Sequence, residues 1–384
     1  MMIHLFLLLI YIAFISLGLP DALLGSVWPI MSSQFDVSVA LLGVISFLVY
    51  GATVASSLMA DRLNCRFGVG RVAAFSVALT AISLFGFAAS NRFWQLCLWS
   101  IPYGLGAGSV DAGLNGYVAK HYASRHVNWL HCMWGIGASA GPYVMGIVLS
   151  GGQTWNYGYL YIGIAQVVLT AVLLLCIPKW KKTESQEADK REPLSLRQTL
   201  KISGVKDVLA VFICYSAVEI IAGQWASSYL SFHLNVGEEM AASFGALFYL
   251  GITVGRAVSG FMTLRLRDKQ MAYIGMGTVF ISAILIFAAK TQTLAVIGFG
   301  LCGFGCAPLI PCIIHATPAR FGEAPSQAII GLEMACFYAG TCLFPPMFGL
   351  IAEYLGLGML PIILFVGLAL MFLAHQRLYR ITEK

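Results

Sequence analysis

The segment KWKKTESQEADKREPLSLRQTLK (179–201) is the only long charged stretch in a chain of 384 residues. Hydrophobic residues make up 59% of the chain and charged residues only 10%. Soluble domains carry about 25% charged residues, so this composition cannot cover a water-facing surface of ordinary polarity. The sequence therefore predicts an all-α membrane protein that crosses the bilayer many times.

Twelve apolar segments flank the charged stretch, six on each side. A helix of about 20 apolar residues is long enough to cross the hydrocarbon core of a bilayer. We therefore expect an N-terminal six-helix bundle at 1–178, a cytoplasmic linker at 179–205 and a C-terminal six-helix bundle at 206–384.

The basic residues are distributed unevenly between alternate loops. If the N-terminus is cytoplasmic, the outer loops hold only Arg92 and Lys290, and nearly all other Lys and Arg residues lie on the inner side. The positive-inside rule then predicts that both termini are cytoplasmic. The net charge of +6 indicates contact with anionic lipid rather than nucleic acid. The first span has no basic leader or cleavage site, so we expect it to be retained, in a bacterial inner membrane.

Several sequence features recur in the two halves. Asp21 precedes Gly25 in the first apolar segment, as Glu219 precedes Gly223 in the seventh. In the fourth segment YGLGAGSVD (103–111) has the same glycine spacing as CGFGCAPLI (302–310) in the tenth. These repeats predict two bundles related by pseudo-symmetry about an axis along the membrane normal.

The segment SSLMADRLNCRFGVGR (56–71) resembles the loop signature that major facilitator superfamily transporters carry between their second and third helices. The resemblance covers the whole chain as a fold and implies twelve transmembrane helices in two pseudo-symmetric six-helix bundles. Asp61, with Arg62 and Arg66, is expected to form an ion-paired latch that holds one conformation. The alternative is that these arginines are ordinary positive-inside charges.

Two further segments resemble one branch of that superfamily, the fucose–proton symporter-like sugar transporters. They are GLGAGSVDAGLNGYVAKHY (104–122) and NWLHCMWGIGASAGP (128–142). The branch carries acids in helices one and four and an Asn-x-x-Gln/His pattern at the start of helix five. Asp21, Asp111, Asn128 and His131 occupy those places here, although the fucose permease type has an amide at the position of His131. The resemblance implies proton-driven uptake of a monosaccharide.

Four acidic residues lie within predicted spans, namely Asp21, Asp111, Glu219 and Glu333. An ionisable group at bilayer depth costs about 2.5–3.5 kcal/mol on insertion scales, so a functional role is the default interpretation. Asp21 and Asp111 are predicted to be the proton-coupling acids, because a low-dielectric site disfavours the charged form and permits proton uptake and release. Structural pairing with a neighbouring helix is the alternative for each. H⁺ is the expected driving ion, since no unwound, carbonyl-rich segment for Na⁺ stands out.

The predicted substrate-binding residues are polar or aromatic and lie in the same spans: Asn115, Asn128, His131, Trp134, Glu219, Gln224, Trp225 and Glu333. Amides and carboxylates exchange hydrogen bonds with hydroxyl groups, and an indole ring stacks on a pyranose. Asn115 follows Asp111 by four residues and shares its helix face. His131 is equally well explained as a core residue, and Glu333 as a partner of Arg256 or His315.

These features predict a secondary active transporter that imports a small polar solute, most favourably a monosaccharide, by proton symport and alternating access. The alternative is a proton-coupled antiporter that exports drugs or organic cations, because GASAGPYVMG (137–146) resembles the fifth-helix motif of proton-antiporting drug exporters. The sequence contains no HExxH or CxxC motif, and no enzymatic activity, cofactor or metal is predicted. The expected partners are the solute and the lipid bilayer, with a monomeric chain and no nucleic acid.

Overall fold

The structure is a computed structural model that describes residues 2–121, 125–180, 196–263 and 265–382. Within these ranges every regular element is helical and no strand occurs. The α-helices are α1 (Met2–Asp21), α2 (Leu23–Gln34), α3 (Leu42–Phe67), α4 (Val69–Ala88), α5 (Phe93–His121), α6 (Arg125–Ser150), α7 (Trp155–Cys176), α8 (Leu196–Thr199), α9 (Val205–Ser228), α10 (Glu238–Met262), α11 (Asp268–Phe287), α12 (Gln292–Cys306), α13 (Leu309–Phe321), α14 (Glu323–Leu355) and α15 (Leu360–Thr382).

Ten helical segments of the described chain are long and apolar enough to cross a membrane. Two further long helices, α5 with 29 residues and α9 with 24, occupy the positions of the predicted fourth and seventh spans. They carry Asp111 and Glu219 respectively. The prediction of an all-α membrane protein is confirmed, and the number of twelve spans is compatible with this arrangement.

The chain folds as two compact units, Met1–Asp189 with Gly237–Ala246, and Lys190–Val236 with Leu247–Lys384. In the first unit α1 packs on α6, α3 packs on α5, and α4 packs on both α5 and α7. In the second unit α9 packs on α14 and α15, and α11 packs on α12. Residues 181–195 of the predicted linker lie outside the described part of the chain.

The first predicted span is broken in the middle. Helix α1 ends at Asp21, the residue after Pro20, and α2 begins at Leu23. Proline removes a backbone donor and clashes with the preceding turn, so a break beside Pro20 has a local cause. The tenth predicted span is also divided, between α12 and α13, with Pro308 as the residue before Leu309. Asp21 thus sits at the last residue of a helix and not within a continuous one.

Close backbone contact joins α1 and α6. A Cβ atom added to Gly137 would meet the carbonyl oxygen of Ile15, and one added to Gly141 would meet that of Leu19. On the facing helix, a Cβ on Gly18 would meet the carbonyl oxygen of Trp134. Small residues allow membrane helices to approach at this distance. The glycines of the 137–146 motif therefore have a packing function that holds α6, with Trp134, against Asp21.

The repeated glycine segments make equivalent contacts in the two units. A Cβ atom on Gly104 would meet the carbonyl oxygen of Val49 in α3. In the second unit, a Cβ on Gly303 would meet the carbonyl oxygen of Phe248 in α10. The shared spacing seen in the sequence thus corresponds to the same kind of helix contact, in which a glycine-rich helix packs against the backbone of another.

Candidate functional site

Asp21 is held by two neutral donors from two other helices. The hydroxyl of Tyr103 on α5 donates to Oδ1 at 2.6 Å, and Nε1 of Trp134 on α6 donates to Oδ2 at 2.8 Å. Each carboxylate oxygen therefore has a partner, and neither partner carries a positive charge. The arrangement joins the end of α1 to α5 and α6 through a single carboxylate.

Asp111 lies near this group on α5. Nδ2 of Asn115, one turn later, donates to Oδ1 of Asp111 at 2.9 Å, as the spacing of four residues predicts. Asp111 is within electrostatic range of Asp21. Oδ1 of Asn115 is buried and has no hydrogen-bond partner among the described residues. The structure therefore brings the two predicted proton-coupling acids into one polar group in the first unit.

The other first-unit candidates have varied positions. Trp134 is half-buried and donates to Asp21, and its predicted role in substrate binding stays a prediction. His131 is exposed, and its ring meets Phe14 edge-on at a centroid distance of 6.4 Å. Asn128 is outside the set of side chains that the structure describes, and its role stays a prediction.

In the second unit Glu219 has a cationic neighbour. The guanidinium of Arg256 on α10 lies within electrostatic range of the Glu219 carboxylate, and Tyr215 shares a hydrogen bond with it. The Tyr215 hydroxyl also lies 3.2 Å from the carbonyl oxygen of Cys306, so its single proton can be donated to either acceptor. Glu219 is half-buried and belongs to a cluster that contains its own countercharge.

Trp225 does not have the position expected of a sugar-stacking residue. Its side chain is fully buried, and its ring packs edge-on against Phe348 with centroids 5.1 Å apart. An indole with no accessible face cannot stack on a solute in this conformation. Gln224 is also buried, with 7% of its surface exposed. Every residue of α9 from Ile221 to Ser228 is buried, and these two residues belong to that stretch.

Glu333 is likewise enclosed by protein. None of its surface is exposed, and its Oε1 accepts a hydrogen bond of 2.9 Å from the Thr317 hydroxyl on α13. Oε2 has no hydrogen-bond partner among the described residues, and Arg320 lies within electrostatic range. The predicted contact of Glu333 with a solute therefore has no surface available in this conformation.

The structure also decides which basic groups accompany the acids. Arg256 accompanies Glu219, whereas Nδ1 of His315 lies 2.8 Å from Oδ2 of Asp268. The sequence reasoning offered Arg256 and His315 as partners of Glu333, and the structure gives it Thr317 and Arg320 instead. Tyr103, the donor to Asp21, was missed as well, because a tyrosine in an apolar span carries no signal of its own.

The predicted latch is described only in part. The side chains of Asp61 and Arg62 lie outside those that the structure describes. Arg66 is exposed, with its guanidinium carbon 5.3 Å from the centroid of the Phe67 ring. The pairing of Asp61 stays a prediction. Among the described residues, no group of three His, Cys, Asp or Glu side chains could hold a metal ion.

The chain is similar to known proteins at the level of families, sequences and structures. The profile of the Major Facilitator Superfamily matches residues 10–324 and 208–384. The glucose/mannose transporter GlcP of Bacillus subtilis is 19% identical over 308 residues, which cover 78% of this chain and 77% of that protein. The cis,cis-muconate transport protein of Acinetobacter baylyi is 21% identical over 358 residues, which cover 85% of this chain and 83% of that protein.

A solved structure shows the same fold. The crystal structure of a bacterial homolog of the human lysosomal transporter Spinster, in an inward-facing and occupied conformation, superposes with a TM-score of 0.74. The match covers 97% of each chain at 13% sequence identity. Since the family profile also covers most of the sequence, the chain belongs to the Major Facilitator Superfamily and is a membrane transporter, not an enzyme.

Proposed function

We propose that the protein is a proton-coupled symporter that takes up a small polar solute, most favourably a monosaccharide, by alternating access. The observation that carries the proposal is the position of Asp21 at the break between α1 and α2, where the described side chains that hydrogen-bond to it are the neutral donors Tyr103 and Trp134. A carboxylate with neutral partners in an apolar span is expensive, and a proton is the simplest species that can neutralise it.

Protonation of Asp21 would change its bonding as well as its charge. The ionised carboxylate accepts from Tyr103 and from Trp134, one at each oxygen. A protonated carboxyl has one hydroxyl and one carbonyl oxygen, and the indole N–H can only donate. The Tyr103 hydroxyl can either donate or accept, so a proton on Oδ1 reverses that hydrogen bond while the Trp134 N–H still donates to Oδ2. Proton binding therefore changes the hydrogen bond between α1 and α5 without any further group.

Asp111 is proposed as the second member of the coupling site. It lies within electrostatic range of Asp21, so the charge on one carboxylate affects the cost of the charge on the other. Its partner Asn115 keeps one buried amide oxygen without a partner among the described residues. A hydroxyl group of a solute is the type of donor that such an oxygen accepts.

Support for a sugar comes from chemistry and from one relative. The Glu219 and Arg256 pair offers acceptors and donors whose charges balance, which suits a neutral, hydroxyl-rich solute. The relative from Bacillus subtilis is named as a glucose/mannose transporter. The segments at 104–122 and 128–142 resemble the fucose–proton symporter branch and extend the proposal to its mode of coupling.

The proposed membrane orientation and cellular location of the protein rest on its charge distribution. We propose cytoplasmic termini and a bacterial inner membrane, because basic residues are concentrated in alternate loops. We also propose a monomer. Export of organic cations is the weaker proposal, since Gly137 and Gly141 of the 137–146 motif contact the backbone of α1 and are accounted for by packing.

The test is proton flux in proteoliposomes that contain the purified protein. Hexoses, pentoses, cis,cis-muconate and a cationic dye are added in turn, and external pH is recorded. One sugar is expected to cause external alkalinisation in the wild type and none in Asp21→Asn. Asp36→Asn is the matched control, because Asp36 is exposed and lies beyond the end of α2.

Two results would contradict the proposal. If protons leave the lumen only when the dye enters, the protein is an exporter. If Asp36→Asn loses the pH signal as completely as Asp21→Asn, the loss follows from the removal of any carboxylate and is not specific to Asp21. A signal from muconate alone would keep proton symport and replace the sugar by an organic acid.

A further inference from the structure

One face of α15 changes from apolar to basic within a single helical turn. Val366, Leu370 and Leu373 are 51%, 53% and 63% exposed, and they follow one another at intervals of four and three residues. Arg377 and Arg380 continue the same stripe and are exposed. An outward face with this order of residues corresponds to the boundary between acyl chains and lipid headgroups.

A groove lies at this boundary. Its volume is about 420 Å³, and the residues that line it are Phe372, Leu373, Gln376, Arg377 and Arg380. The volume falls within the range of about 300–1,000 Å³ that small-molecule sites occupy. The lining combines exposed apolar side chains, an amide and two guanidinium groups on one helix face.

Asp207 fixes one of these guanidinium groups in place. Nε of Arg377 lies 3.2 Å from Oδ1 of Asp207, in the first turn of α9. The Asp207 side chain is only 15% exposed, whereas that of Arg377 is 75% exposed. This contact uses Nε, and a guanidinium has five N–H donors in a rigid fork. The two arginines and Asp207 together leave a net charge of one positive unit.

We propose that this groove binds the headgroup of an anionic phospholipid. Guanidinium forks match the oxygen geometry of a phosphate, and the exposed Phe372 and Leu373 would lie beside the first methylenes of the acyl chains. A soluble protein partner is disfavoured, because the stripe that leads into the groove lies within the apolar span Leu357–Thr382. The site is independent of the solute that the protein carries.

The test is lipid retention by the full chain, measured by native mass spectrometry in a mixture of phosphatidylglycerol and phosphatidylethanolamine. Each arginine near an anionic membrane surface contributes about a fivefold change in affinity. The variant with both Arg377→Gln and Arg380→Gln is therefore expected to lose about thirtyfold in phosphatidylglycerol retention, and Arg380→Gln alone about fivefold. Arg265→Gln is the matched control, since Arg265 is exposed and lies outside the groove.

The single variant Arg380→Gln keeps the Asp207 contact, so it tests the site even if the double variant fails to fold. The proposal is overturned if Arg265→Gln lowers retention as much as Arg380→Gln, because the attraction would then be diffuse. It is also overturned if millimolar inorganic phosphate displaces the lipid, since the site would then take free phosphate. Equal retention of the two lipids by the wild type would likewise refute it.

Discussion

The acids within the spans of the two units have different neighbours. In the first unit Asp21 accepts hydrogen bonds from Tyr103 and Trp134, and both are neutral. In the second unit Glu219 lies beside Arg256, and Glu333 lies beside Arg320. Neutral donors stabilise an anion but leave its charge in place, whereas an arginine cancels that charge permanently because it cannot lose its proton. The cost of a carboxylate within an apolar span is thus offset by neutral donors in the first unit and by arginines in the second.

The comparison assigns different tasks to the two units. An acid whose charge is not cancelled can respond to proton binding, because the proton is then the only neutralising species. An arginine within electrostatic range favours the charged form of a carboxylate, and burial opposes it. The first unit is therefore the proposed location of proton coupling, and the second unit the proposed location of a polar surface in which arginines accompany the acids.

Asp21→Asn should have the largest effect on transport. The amide cannot exchange a proton, so proton-driven accumulation of the sugar is expected to fall to the level of protein-free liposomes. Exchange of labelled for unlabelled sugar should persist, because it requires no net proton movement. Both are measured by uptake of radiolabelled sugar with and without a pH gradient. If exchange is lost as completely as proton-driven accumulation, Asp21 is required for sugar binding. That result would contradict the comparison between the acids of the two units.

Arg256→Ala tests the charge cancellation in the second unit. Removing one partner of a buried ion pair costs about 3–5 kcal/mol, and for this half-buried pair we expect about 2 kcal/mol of unfolding free energy. The measurement is thermal unfolding of the purified protein in detergent. Adding Glu219→Gln should restore most of the loss, since no uncompensated charge then remains. A double variant no more stable than Arg256→Ala would show that the two charges are not coupled.

Tyr103→Phe tests the neutral donors of the first unit. Hydrogen bonds to charged groups contribute about 1.5–3 kcal/mol, and we expect a loss near the lower limit because Trp134 still donates to Asp21. The effect should be smaller when Asp21→Asn is already present, which a double-mutant cycle in thermal unfolding measures. Additive effects of the two changes would indicate that the 2.6 Å contact contributes nothing to stability.

Thr317→Val should have the smallest effect and should leave transport unchanged. It removes the donor to Glu333 and is expected to cost about 1 kcal/mol of unfolding free energy. Because Glu333 has no exposed surface, the concentration of sugar that gives half-maximal uptake should stay as in the wild type. A severalfold increase in that concentration would indicate that Glu333 contacts the solute and would sharpen the comparison between the acids of the two units.

Much of the fold was predictable from sequence because its determinants are local. Hydropathy is averaged over residues that are neighbours in the sequence. The apolar helices, and the charged stretch at 179–201 between them, can therefore be recognised without knowledge of tertiary contacts. The break at Asp21 was also foreseeable, since Pro20 acts on its own helix. The pairing of Asp111 with Asn115 follows from a spacing of four residues.

The sites were less predictable because their partners are distant in the chain. Tyr103 and Trp134 reach Asp21 across 82 and 113 residues, and no local pattern marks them. The burial of Trp225 depends on α9 packing against α14, which places Phe348 beside its ring. A sequence shows that an indole is present and gives no information on which face of a helix its neighbours cover.

The sequence by itself determined that the chain is a helical membrane protein and that Asp21 and Asp111 are costly groups in its spans, because the transfer of each residue into lipid is nearly independent of the others. Only the tertiary structure decided which acids have a countercharge. That choice depends on which helices pack together, since Arg256 and Arg320 reach Glu219 and Glu333 from other helices. The balance between burial and a nearby positive charge, which governs whether an acid is protonated, is therefore a property of packing.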